Sequence, residues 1–288
     1  MMEFLLSPFE YAFMQNALAV AVISSAVCGM LSSWLVLMGW SLMGEAVAHS
    51  VLPGVVLAFI LGIPLGAGAF VFGMLAVALI AGLSRTTTIK RDTAIGVVFT
   101  SLFALGLVLI SVTPSQAHLM DLLFGNVLGT SRADLFGVAA LGAVTALVLL
   151  LKRRDFTLLA FDRTYATAIG LRTGVLTAVL LILLALTTVT ALQTLGVILV
   201  VAMLVIPGAT GFLLARSFAT MLLISSAVGA VAAILGVYAS YWWDVSTGGV
   251  IVLAASAQFV LAYLCSPRHG LVAALRRRRA SSQTTAVG

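Results

Sequence analysis

The sequence predicts an all-α fold, a polytopic bundle of transmembrane helices. Three observations predict it. Hydrophobic residues make up 62% of the 288-residue chain and charged residues 8%, against about 25% charged in a soluble domain. The apolar runs are unbroken and about 20 residues long, the length an α-helix needs to cross hydrocarbon. They do not alternate in segments of about 10 residues, as the strands of a membrane barrel would. Only helices and closed barrels satisfy their backbone groups inside a bilayer, so the run length selects helices.

Nine apolar segments stand out, at roughly 13–38, 43–62, 66–84, 93–112, 133–151, 174–192, 195–214, 217–240 and 247–265. The intervening stretch 115–131 is less apolar, carries Gly125 and Gly129, and is expected to be a short re-entrant or interfacial helix. Residues 1–265 thus read as one transmembrane domain of eight or nine spans, with 152–173 its longest internal polar stretch. Residues 266–288 read as a basic, then Ser/Thr-rich, disordered tail. Only Gln193 and Thr194 separate the sixth and seventh segments, which predicts a tight antiparallel hairpin there. The N-terminus carries Glu3 and Glu10 without Lys or Arg, unlike a cleaved signal peptide.

Charge sets the orientation. The net charge is +6, but the Lys and Arg sit in short links, so they read as topology signals and not as a nucleic-acid surface. With the N-terminus outside and the C-terminus inside, Arg85, Lys90, Arg91, Lys152, Arg153, Arg154, Arg163, Arg172, Arg216, Arg268 and Arg276 to Arg279 all face the cytoplasm, and Arg132 alone falls outside. The opposite orientation inverts that split, so the positive-inside rule selects N-out, C-in. The Arg276 to Arg279 run reads as an anchor to anionic lipid. The two cysteines, Cys28 and Cys265, lie in apolar runs and read as core thiols.

The sharpest chemical signal is Glu45 with His49, in SLMGEAVAHSVLPGV. Four residues apart on a helix, they share a face. A carboxylate in a membrane span costs about 2.5–3.5 kcal/mol at mid-span, so it needs a compensating partner. A carboxylate with an imidazole suits a first-row divalent cation. The alternative is that the two bond only each other or a neighbouring helix. Glu45 is expected in the first helical turn, where the dipole favours its charge. Pro53 cannot donate to the carbonyl of His49, which is expected to turn toward the pathway.

A second constellation is FDRTYATAIGLRT, residues 161–173. Its spaced alanines and glycine among charges suit either a short surface helix docking in a partner's groove or a solvated loop. His118 and Asp121, three apart on the outer side, either help receive a ligand or form a polar rim. Pro207-Gly208 is expected to kink the seventh span, for packing in preference to gating. Tyr241-Trp242-Trp243 before Asp244 marks the outer interface. Neither a G-x-x-x-x-G-K-[ST] loop nor an H-E-x-x-H motif occurs, so the chain is expected neither to hydrolyse ATP nor to be a zinc protease. No internal repeat is evident, which counts against a secondary transporter.

Five ordered blocks, SLMGEAVAHSVLPGVVLAF, RDTAIGVVFTSLFALGLVLIS, DLLFGNVLG, FDRTYATAIG and QTLGVILVVAMLVIPGAT, make the chain resemble the membrane permease subunits of the manganese/zinc/iron family of ABC importers. The similarity runs over roughly residues 11–265, and family members are similar in architecture to the cobalamin and iron-siderophore importers, the type II permeases. The resemblance implies two permease chains forming a pathway, as a homodimer or with a sister permease. It also implies two ATPase subunits that bind ATP below, and an extracytoplasmic metal-binding protein that delivers the ion. Nothing is bound permanently; the transported ion is manganese, or alternatively zinc or iron. Glu45 and His49 match the family's acidic residue and histidine, although the acidic residue is usually aspartate and glutamate is one methylene, about 1.5 Å, longer. Asp162, Ala166 and Gly170 match the segment that docks on the ATPase. Such a chain lies in the bacterial cell membrane.

Overall fold

A computed structural model describes residues 11–86, 88–113 and 127–266. His118, Asp121 and the tail beyond Ser266 lie outside the described residues, as does most of the expected re-entrant stretch, of which Val127–Gly129 forms a 3-10 turn. Twelve α-helices make up the rest of the described chain, and no strand is present among the described residues. In order they are α1 (Ala12–Leu37), α2 (Ser41–Ser50), α3 (Leu52–Leu61), α4 (Leu65–Thr86), α5 (Arg91–Val112), α6 (Arg132–Leu151), α7 (Arg153–Phe161), α8 (Arg163–Ala168), α9 (Thr173–Leu195), α10 (Val197–Leu214), α11 (Phe218–Trp243) and α12 (Thr247–Cys265).

Among the described residues, nine stretches are long and apolar enough to cross a membrane: α1, α2 with α3, α4, α5, α6, α9, α10, α11 and α12. Each falls within a few residues of an expected span. The second crossing differs in kind. It is two helices end to end, interrupted at Val51, because Pro53 supplies no backbone donor and the ladder cannot run through. The sixth and seventh crossings also turn later than expected. Their pivot is the single residue Gly196, at φ +81°, and not Gln193-Thr194. Only glycine takes that backbone cheaply. The turn is tight, but α10 packs mainly on α1, α11 and α12 and only lightly on α9.

The core is built around α1 and α10, and α12 lies at the periphery. Lipid is as apolar as leucine, so association here depends on close approach of backbones through small residues. The α1–α11 crossing illustrates this. A Cβ on Gly29 would collide with the Ser225 carbonyl, and one on Gly229 with the Ser25 carbonyl. Ser25 and Gly29 on α1 therefore mesh with Ser225 and Gly229 on α11, both pairs at i, i+4.

Ser32 ties α1 to α10 at the proline. Its Oγ accepts the Gly208 N–H at 3.0 Å and donates to the Val205 carbonyl at 3.3 Å. Pro207 lies inside α10, and Gly208 has no room for a side chain against Ser32. The Pro207-Gly208 pair is therefore a packing device. On the cytoplasmic side, buried Trp34 meets Phe156 (5.0–6.1 Å ring contacts with Phe218 and Phe156), which pins α7 to α1 and the start of α11.

Candidate functional site

The α2 helix begins at Ser41, so Glu45 lies in its second turn and not in the first, as the sequence suggests. Dipole stabilisation fades within one turn, so the carboxylate has little help from its own helix. At 1.5 Å per residue, Glu45 lies about 6 Å and His49 about 12 Å along the crossing from Ser41, its cytoplasmic end. Both are half-buried within the single chain.

His49 Nδ1 lies 3.0 Å from the backbone carbonyl of Glu45. A carbonyl oxygen can only accept, so Nδ1 is the donor and, in the neutral ring, Nε2 keeps its lone pair. The bond goes to the peptide of Glu45 and not to its side chain. Among the described residues the Glu45 carboxylate has no hydrogen-bond or ion-pair partner. The pair therefore does not satisfy itself: one imidazole nitrogen and one carboxylate are left over on a helix inside the bilayer.

Two aromatic rings that sequence spacing did not single out fix the imidazole. Phe99 and Phe103 of α5 meet it edge-on at 5.3 and 5.4 Å between centroids. They lie four apart in the block RDTAIGVVFTSLFALGLVLIS, and that i, i+4 spacing was the signal available. A third contact joins the same two helices at their cytoplasmic ends. The Arg91 guanidinium sits 4.7 Å over the ring of Trp40, the residue preceding α2.

The expected outward turn of the His49 carbonyl is not what the break at Val51 produces. The N–H of Val51 is directed to that carbonyl. The break instead ends α2 one residue after His49, which places the histidine in the last turn, at the negative end of the dipole. Among the described residues no three metal-ligating side chains of the His, Cys, Asp and Glu type come together. One chain brings two side chains of this type, Glu45 and His49, to this place.

Within residues 152–173, Arg153–Phe161 and Arg163–Ala168 are helical, α7 and α8, so the surface-helix alternative describes the segment better than a loop. Each of the three motif residues shapes the segment. The Asp162 carboxylate caps α8 by accepting the Tyr165 N–H at 2.8 Å. Ala166 is fully buried. Gly170, at φ +88°, closes α8 in a Schellman turn, with Gly170 N–H to the Thr167 carbonyl and Leu171 N–H to the Ala166 carbonyl, both 3.0 Å. Most of the segment is exposed, and its large apolar side chains on that surface are Tyr165 and Ile169, 56% and 53% exposed.

Similarity to known proteins agrees with this architecture. The chain is 47% identical over 277 residues, 96% of its length and 90% of the relative's, to the manganese transport system membrane protein MntB of Synechocystis. It is 48% identical over 257 residues, 89% of its length and 86% of the relative's, to the chelated iron transport system membrane protein YfeD of Yersinia pestis. Among solved structures, PsaBC from Streptococcus pneumoniae in complex with Fab superposes with a TM-score of 0.85 at 38% identity, covering 93% of this chain and 98% of that one. The profile of the ABC 3 transport family matches residues 10–266, which take in all nine crossings. The chain is a multi-pass membrane protein and belongs to the ABC 3 transport family.

Proposed function

We propose that this chain is the permease subunit of an ATP-driven importer of divalent transition-metal ions, with manganese the principal cargo and zinc or iron(II) the alternatives. The observation that carries the reading is the unsatisfied pair on α2. His49 is oriented by its Nδ1 bond and by Phe99 and Phe103, and the Glu45 carboxylate one turn away lacks a partner within the chain. A divalent ion offsets the cost of holding a carboxylate in the membrane. The manganese and iron transport names of the relatives support the same substrate class.

Two ligands are too few for such an ion, and a twofold axis doubles them. The chain therefore works as a homodimer, or as a pair with a sister permease, in which two Glu45 and two His49 hold the ion transiently. An extracytoplasmic binding protein delivers the ion. Two ATPase subunits dock on the segment from Asp162 to Gly170 through Tyr165 and Ile169, and the hydrolysis takes place there. Zn²⁺ outbinds Mn²⁺ at most nitrogen and oxygen sites, so discrimination rests on geometry and delivery.

The test is uptake of manganese, zinc and iron by cells lacking the chain and complemented with wild type, Glu45→Ala or His49→Ala. Both variants should assemble with the ATPase yet lose uptake by well over tenfold, the loss expected when a ligand is removed. Normal accumulation of all three metals in either variant would refute the site.

A further inference from the structure

Two grooves open at the cytoplasmic end of the bundle, on either side of a ridge made by Phe161 and Phe218. The first, about 500 Å³, is lined by Arg153, Arg154, Thr157, Leu158 and Ala219 besides the ridge. The second, about 260 Å³, has Arg216 at its edge. The larger falls within the usual range for ligand pockets, about 300–1,000 Å³.

Their position follows from the fold. The α6 crossing ends at Leu151 and α10 at Leu214, and both ends face the cytoplasm by the charge rule. The α7 helix runs on directly from α6. It buries Phe156 and Leu159 inward, starts with Arg153 and Arg154 directly after Lys152, and leaves Phe161 69% exposed at its far end. Its inward face packs on the bundle, while the two exposed arginines and Phe161 face outward at the end where the charge rule places the inner headgroups.

The cations of this patch are not equivalent. Lys152 is paired with Asp155 at 3.3 Å. Among the described residues, Arg153, Arg154 and Arg216 have no carboxylate within ion-pairing distance. A guanidinium presents a planar fork of donors suited to a phosphate, and its charge persists at any physiological pH. Unpaired arginines beside an apolar groove at the inner interface form the arrangement that takes an anionic lipid.

We propose that this furrow is a binding site for an anionic phospholipid of the inner leaflet. The phosphodiester meets Arg153 and Arg154, an acyl chain lies along Leu158, Phe161 and Phe218, and Arg216 flanks the far side of the ridge. The site is distinct from the exposed pair Tyr165 and Ile169 on α8. A lipid seated here would brace α7, and through it the segment that follows.

The test uses the full chain in nanodiscs of dioleoylphosphatidylcholine with or without 30% dioleoylphosphatidylglycerol, read by native mass spectrometry and thermal melting. Wild type should retain phosphatidylglycerol over phosphatidylcholine and melt higher in its presence. Removing two near-surface guanidinium contacts, as Arg153→Gln/Arg154→Gln, should cut that preference about thirtyfold. Lys90→Gln/Arg132→Gln removes the same charge outside the patch and should leave it intact. Arg153→Lys/Arg154→Lys keeps the charge and should keep most of the preference even if the glutamine pair folds poorly. An unchanged preference in the glutamine variant overturns the proposal. So does a variant that loses co-purified ATPase while retaining its lipid, because the furrow would then be a protein contact.

Discussion

The imidazole of His49 shows how much of a residue's chemistry its neighbours set. Its usefulness depends on a proton fixed at Nδ1 by the Glu45 peptide and on two phenyl edges that hold the ring plane. Groups that orient a metal ligand typically cost about 10–100-fold in affinity or activity when removed. Phe103→Ala should therefore raise the manganese concentration for half-maximal uptake by at least about tenfold, with assembly intact. Phe103→Tyr should restore most of it. If concentration dependence is unchanged in the alanine variant, the ring does not position His49. The position of Glu45 has a similar logic. Set in the second turn of α2, it is deprived of dipole support, and its carboxylate awaits charge from outside the chain.

At the scale of the element, glycines matter where backbone or neighbour forbids anything larger. Gly170 needs its positive φ to close α8. A side chain there costs about 1–2 kcal/mol in the left-handed region, less for asparagine. Gly170→Val should thus abolish ATPase co-purification and uptake while leaving the protein in the membrane, and Gly170→Asn should recover both. Retained co-purification in the valine variant would detach this turn from ATPase docking. The α1–α11 crossing fails for the other reason, lack of room. Gly229→Ala pushes a methyl into the Ser25 peptide, and overpacking of this kind costs about 1–3 kcal/mol. The detergent-solubilised variant should melt several degrees lower, while Gly82→Ala, at a position with open space, should not.

At the scale of the whole molecule, Arg91 over Trp40 closes the cytoplasmic end of the α2–α5 seam, and Glu45 lies five residues beyond Trp40. The twofold reading makes a sharper prediction. Mixed pairs holding one wild-type and one Glu45→Ala chain, isolated by two affinity tags and reconstituted with the ATPase, should transport near background. Half-normal transport would indicate that each chain carries an ion independently.

The sequence by itself determined the helical class, the nine crossings and the orientation that the charges select. Each of these follows from partitioning between water and hydrocarbon, which acts on local runs of side chains and on the cations between them. Asp162, Ala166 and Gly170 were singled out by the family resemblance; their structural parts, a cap, a buried alanine and a left-handed glycine, are local. The break at Val51 and the turn at Gly196 have local causes, a proline two residues on and a glycine at positive φ, which run length does not register. The tertiary structure alone decided the placing of Phe99 and Phe103 on His49, because that depends on which faces meet across 50 and 54 residues of sequence. In lipid, where every face is equally apolar, that choice is made by close packing of small residues and by scattered polar contacts. Hydropathy is blind to both.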